Sequence, residues 1–147
     1  MIKLIQNGDI FESGCQAIVN PVNCVGVMGA GLAKKFKANY PNNFENYKSI
    51  CNKNLLKIGT CFTTKEKDKL IVNFPTKKHF SDLSSYNDIS DGLDALIRHI
   101  ERFQITSIAI PALGCGLGKL RFDRVLNLLT FKLGLLNIQV DVYEPNK

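Results

Sequence analysis

The chain has 147 residues, 45% of them hydrophobic, and a formal charge of +6. This fits one compact domain, 1–147, with an adequate core. No apolar run approaches the roughly 20 residues of a membrane-spanning helix, and "MIKLIQNGDIFESG" lacks a signal-peptide pattern.

"MIKLI" and "AIVNPV" read as strands. From Gly31 to about Tyr40 the pattern is helical, and Pro41 ends it. "NNFENYKSICNK" predicts a second helix, starting near Asn42 or Asn43. "GTCFTT" and "KLIVNFP" predict two strands joined by the charged turn Lys65 to Asp68. Ser85 and Asp88 have capping-box spacing, and the helix after them puts Ile89, Leu93, Leu96, Ile97 and Ile100 on one face. "SIAIPAL" reads as a buried strand, "DRVLNLLTFKLGLL" as a helix weakened by Gly134, and "IQVDVYE" as a closing strand. This order predicts an α/β domain with a partly parallel central sheet.

In such sheets ligands bind beyond the carboxyl ends of the strands. Two glycine-rich runs fall at such ends: "GVMGAG", Gly26 to Gly31, and "GCGLG", Gly114 to Gly118. Glycine lets backbone approach a ligand closely, and successive N–H groups form a nest for an anion. A helix N-terminus adds its dipole and its unpaired donors. Two such loops on one rim would clamp a diphosphate; the bland alternative is a pair of tight turns. "GVMGAG" lacks GxGxxG spacing, and "GCGLGK" continues with Leu120 rather than the P-loop pattern. That argues against a dinucleotide dehydrogenase and a P-loop NTPase.

The lysine clusters at 34, 35 and 37, at 65, 67 and 69, and at 77 and 78 are either a solvated surface or an attraction for phosphate-bearing partners. The five cysteines, 15, 24, 51, 61 and 115, are odd in number and form no CxxC pair. A disulfide framework and a structural zinc site are therefore not expected, and a reducing, cytoplasmic location is the default. No His/Asp/Glu cluster calls for a metal.

Together these motifs resemble the macrodomains, the ADP-ribose-binding α/β/α fold. "NGDI" at 7–10, "NPVN" at 20–23, "GVMGAGLAKKF", "IAIPALGCGLG" and "VYEP" at 142–145 are similar to the family's adenine site, strand end, first phosphate loop, second loop and closing strand. "VGVMGAGLAKKFK…YP" and "VNFPTKKHF" look most like the DNA ADP-ribosyl glycohydrolase branch, whose group also contains the terminal ADP-ribose protein glycohydrolase. The resemblance implies a three-layer α/β/α fold with a mixed central sheet and removal of ADP-ribose as well as its binding. It implies no cofactor, a monomer, and an ADP-ribosyltransferase toxin as a partner.

By that resemblance, Asp9 accepts a hydrogen bond from the adenine amino group, while the Ile10 backbone and Tyr143 contact the same base. Read from the residues alone, Asp9 suits a turn cap and Tyr143 suits sheet core. Asn23 would bond the distal ribose and Asn20 would hold the loop. Val27, Met28, Gly29, Ala30 and Gly31 would wrap the distal ribose and its phosphate. Gly114, Cys115, Gly116, Leu117 and Gly118 would offer amides to the diphosphate. "FPTK" places Pro75 and Thr76 beside the ligand and makes Lys77 the catalytic residue. Lys78 competes by position alone. Lysine serves as a nucleophile when neutral, or as a general acid or electrostatic aid when protonated. His79 is a candidate for touching a nucleobase; His99, inside a helix, is read as structural.

One departure is informative. The protein-directed hydrolase carries an aspartate where this chain has Gly118. That favours ADP-ribosylated DNA, at a thymidine, as substrate. Modified acidic side chains or O-acetyl-ADP-ribose form the second reading, and a non-catalytic reader of ADP-ribose the third. A stand-alone relative and an excised domain both fit the length.

Overall fold

The computed structural model describes residues 1–145. Six strands, β1 (Ile2–Ile5), β2 (Ala17–Val22), β3 (Phe62–Glu66), β4 (Lys69–Pro75), β5 (Ser107–Ile110) and β6 (Gln139–Tyr143), form one sheet in the order β1-β6-β5-β2-β4-β3. Four helices, α1 (Gly31–Asn39), α2 (Pro41–Asn52), α3 (Tyr86–Arg102) and α4 (Phe122–Leu133), complete the fold. Only β3 runs antiparallel to its neighbour, so the sheet is mixed.

Strand alternation sorts the two faces. Ala17, Val19, Val72, Phe74, Ile108, Ile110, Val140 and Val142 pack with Ile89, Leu93, Leu96 and Ile100 of α3 and Val125, Leu129 and Leu133 of α4. On the other face, Ile18, Ile71 and Ala109 pack with Phe36 and Tyr40. Val22 packs with Met28, Phe44, Tyr47 and Cys51, bringing in α2. The result is three layers, α/β/α, with the apolar stripe of α3 buried as its periodicity predicts.

Several boundaries differ from the sequence-based expectation. Pro41 does not merely end α1; it is the first residue of α2, and Tyr40 serves both helices as cap. Proline suits that position because its missing N–H would be unpaired there anyway. The β3–β4 turn is tighter than Lys65 to Asp68: β3 runs to Glu66, and Lys67 and Asp68 turn the chain with φ of 53° and 60°. Two central residues of positive φ match the twist of a two-residue hairpin. β3 also starts late, because Lys57 to Thr60 form a turn with Gly59 at φ 83°. β5 stops before Pro111, and α4 ends at Leu133 with Gly134 as its cap. Ser85 caps α3 by accepting from the Asp88 N–H at 3.1 Å, and Ile10–Glu12 form a single 3-10 turn capped by Asp9.

His99 is structural, as its helical setting suggested. Its Nδ1 lies 2.8 Å from the Thr63 hydroxyl, and burial, then Arg102 and Arg98, push its pKa below the usual histidine value. Among the described residues no helix is long and apolar enough to cross a membrane.

The approach of α3 to β4 depends on Gly92. A methyl group there would meet the Phe74 ring, with Cε1 at 2.6 Å, and Phe74 is fully buried. In an exposed helix Gly→Ala is stabilising by about 1 kcal/mol. Here overpacking outweighs it, and Gly92→Ala should lower stability by about 1–3 kcal/mol in urea denaturation.

Candidate functional site

All five parallel strands end on one rim, which carries the segments after Ile5, Val22, Pro75, Ile110 and Tyr143. The sheet order reverses at β2 and β5, which are neighbours, and each is followed by one of the glycine runs. β5 pairs with β2 only through Ile108–Ala17 and Ala109–Ile18. Beyond that point the strands are free to part. The Val22 carbonyl points to β4, accepting from the Thr76 N–H at 2.9 Å, so position 21 faces β5, and there proline has no N–H to offer.

The first loop is held by Asn23. Its Nδ2 donates to the Val27 carbonyl at 2.8 Å, and its Oδ1 accepts from the Val25 N–H at 3.0 Å and the Tyr47 hydroxyl at 2.7 Å. Gly26 turns the loop at φ 84°. The loop-holding role expected of Asn20 thus falls largely to Asn23, which keeps only its second Nδ2 hydrogen for a ligand. Met28 does not wrap anything with its side chain: it is 2% exposed and sits in the core under α2. What the loop presents is backbone. The N–H groups of Gly29, Ala30, Gly31 and Leu32 donate to nothing among the described residues, and α1 starts at Gly31 with no side-chain cap. Val27 stands exposed beside them.

The second loop turns at Gly114, φ 73°, and closes with Leu120 N–H to the Gly114 carbonyl at 2.9 Å and Lys119 N–H to the Gly116 carbonyl at 3.1 Å. The N–H groups of Gly116, Leu117 and Gly118 have no acceptor among the described residues. Two runs of unpaired amides therefore rise from adjacent strands, an arrangement suited to an anion with two charged groups. Burial pushes the Cys115 thiol up to about 11, so it stays protonated at neutral pH and is not a thiolate nucleophile.

At the far end of the rim Asp9 and Tyr143 come together. Gly8 between them has no room for a side chain, since a Cβ would lie 2.9 Å from Tyr143 Cε2. Asp9 does act as a cap, accepting from the Phe11 N–H at 2.9 Å through Oδ1. Its other oxygen remains available, so capping and ligand binding are compatible. Ile10 is buried, leaving its backbone for contact, and Tyr143 is half-buried against the α1 face.

β4 ends at Pro75, and the chain bends at Thr76. Thr76 N–H bonds the Val22 carbonyl at 2.9 Å, and Cys24 N–H bonds the Lys78 carbonyl at 2.8 Å. Lys77 is pinned between these two bonds. Pro75 and Thr76 are buried, Lys77 is half-buried and Lys78 is exposed. Lys77 has no salt-bridge partner among the described residues. Of the two lysines, Lys77 is the one whose backbone is held on both sides, beside the end of β2 and the start of the first loop.

The polar network below the rim has no local signal in the sequence. Asn73, paired in register with Asn20, accepts from Asn20 Nδ2 at 3.1 Å and from Asn43 Nδ2 at 3.0 Å, and donates to Asn43 Oδ1 at 2.8 Å and the Phe62 carbonyl at 3.0 Å. Asn43 also accepts from the Thr64 hydroxyl at 2.6 Å. This ties β2, β4, β3 and α2 together two residues below the first loop. Asn20 reaches the loop itself by a weak bond to Met28 Sδ, and its Oδ1 is buried without a partner.

An α/β/α fold with two amide-lined loops at its switch point has the geometry of an anion-binding domain. The Macro domain family profile matches residues 19–129, and the chain belongs to that family. It is 40% identical over 95% of its length to the DNA ADP-ribosyl glycohydrolase of Mycobacterium tuberculosis, and covers 41% of that protein. The macrodomain structure of Mycobacterium tuberculosis DarG matches with a TM-score of 0.95, at 39% identity and 99% coverage of both chains. Thermosipho africanus DarTG in complex with ADP-ribose matches with a TM-score of 0.92, at 34% identity, covering 98% of this chain and 41% of that one. The chain thus spans about two fifths of the length of the curated relatives it matches.

The second loop has no room for a side chain at Gly118. A Cβ would collide with Ser84 Oγ and lie 2.6 Å from the Gly114 carbonyl oxygen. At Gly116 nothing lies within 4 Å. Gly118→Ala should therefore cost about 1–3 kcal/mol of stability, and Gly116→Ala under about 0.5 kcal/mol, in parallel thermal melts.

Proposed function

We propose that this chain is an ADP-ribosyl glycohydrolase domain that removes ADP-ribose from ADP-ribosylated DNA, at a thymine base. The observation that carries the reading is the meeting of three things on one rim: two runs of unpaired amides on adjacent strands and Lys77 beside them. The amides suit the diphosphate. Asp9 Oδ2, the Ile10 backbone and Tyr143 suit the adenine, at the end of the rim away from Lys77. This orientation leaves the distal ribose toward Lys77, with the second Nδ2 hydrogen of Asn23 nearby. Relatives named DNA ADP-ribosyl glycohydrolase support the DNA reading.

The reaction breaks the bond between the anomeric carbon and a base nitrogen. Water supplies hydroxide to the carbon and a proton to the departing base. As a neutral amine Lys77 attacks the anomeric carbon and is later released by water; as an ammonium it protonates or electrostatically assists the leaving base. Removal of ADP-ribose from acidic side chains is the second reading. A loop carboxylate at position 118, as the protein-directed hydrolase has, would collide with Ser84 and the Gly114 carbonyl, which favours DNA. The Thermosipho africanus relative is a fusion of a DNA ADP-ribosyl transferase with a DNA ADP-ribosyl glycohydrolase. An antitoxin paired with such a transferase is the role this reading assigns.

The test is release of ADP-ribose from an ADP-ribosylated single-stranded oligonucleotide. Lys77→Ala should slow it by about 10²–10⁴-fold while calorimetry shows ADP-ribose binding retained. Lys77→Arg keeps the charge and cannot supply a neutral amine, so its activity separates the two roles of lysine. Full activity in Lys77→Ala would overturn the assignment.

A further inference from the structure

Beyond Lys77 the chain makes a turn that is more tightly tied than a connecting loop needs. Lys78 is bonded to the first loop through Cys24, and the Ser84 N–H bonds the Gly118 carbonyl of the second loop at 3.1 Å. Residues 79–83 therefore bridge the two glycine loops at the mouth of the site. The turn is closed in both directions: Asp82 N–H donates to the His79 carbonyl at 3.0 Å, and His79 N–H donates to Asp82 Oδ2 at 3.0 Å.

Phe80 stands at the tip, 51% exposed. One side of it is braced by the His79 ring, with centroids 3.9 Å apart and 36° between planes. The imidazole is itself fixed, because Ser81 N–H donates to Nδ1 at 3.2 Å and the Ser81 hydroxyl lies 2.8 Å from the same atom. His79, a candidate for touching a nucleobase, thus braces the Phe80 ring. Leu83 and Leu117, 69% and 63% exposed, flank the Ser84–Gly118 bond and extend the apolar surface. Lys78 and Lys119 are exposed beside the same two loops.

A fixed, half-exposed aromatic ring on a segment tied to two loops that carry exposed lysines matches how single-stranded nucleic acid is held, by base stacking and phosphate attraction. An acidic peptide would use the lysines but not the ring. We infer that Phe80 is the stacking platform for a base next to the modified nucleotide, and that the His79–Asp82 turn makes the enzyme read single-stranded DNA rather than the modified nucleoside alone. This rests on the glycohydrolase reading above.

The experiment compares two substrates: an ADP-ribosylated single-stranded oligonucleotide, and ADP-ribosyl-thymidine without neighbours. The wild-type protein should prefer the oligonucleotide. Phe80→Ala should lower kcat/KM on the oligonucleotide about tenfold, chiefly through KM, the scale of one lost base stack. It should leave the nucleoside reaction and ADP-ribose affinity unchanged, and Phe80→Trp should restore the preference. Equal losses on both substrates, or no loss on either, would overturn the platform alone. A wild-type protein inactive on both would overturn the glycohydrolase reading as well.

Discussion

β2 and β5 lie side by side for two residue pairs and then separate, and the site depends on that parting. Proline at position 21 removes the N–H that would carry the β2–β5 ladder further, while β2 keeps its pairing with β4 through Val22–Pro75. The next pair of backbones is consequently left without partners. In a solvated crevice that is tolerable, because water can satisfy the donors until an anion replaces it. Both loops present amides rather than side chains. This explains why glycine dominates each loop and why the one long side chain of the first, Met28, is turned into the core.

The two loops and Lys77 are not independent. The first loop is bonded to the Lys77 segment through Cys24, and the second through Ser84. Ser84 also fills the space that a side chain at Gly114 or Gly118 would need, with its Cβ 3.1 Å from the Cβ position at Gly114. The Ser84 hydroxyl is buried without a hydrogen-bond partner, a cost of about 1–3 kcal/mol. The molecule carries that cost where backbone from two loops must pack closely. A displacement of either loop would therefore be felt at residues 76–85, and so at the position of the lysine amine.

The sequence made the backbone features legible and left the side-chain network dark. "NPVN" and the two glycine runs mark strand ends by local rules, while their order along the rim comes from the sheet pairing, and Pro111, expected inside the strand "SIAIPAL", instead follows its end. Asn73 could not be read this way. In "KLIVNFP" it is one polar residue in an apolar strand, and only the pairing of β4 with β2 and the packing of α2 explain it. The reversal of emphasis between Asn20 and Asn23 has the same origin: their positions along the chain decide less than Tyr47, which arrives from α2 to bond Asn23. Pro41 was read as an ending because the helix before it was visible; its second role needs the shared cap at Tyr40.

The same distinction bears on Phe80. An aromatic residue after two lysines and a histidine has no local reason to be exposed, and hydrophobic pattern alone would assign it to a core. Burying it would require the turn to fold inward, which the Asp82 and Ser81 bonds to His79 oppose. The backbone tethers at Lys78 and Ser84 then fix where the ring stands relative to the two loops. Exposure here is enforced by hydrogen bonds, so the apolar area of the ring remains available to a partner. A base brought in by a phosphodiester chain could recover part of that hydrophobic free energy, which a lone sugar-linked nucleoside could not.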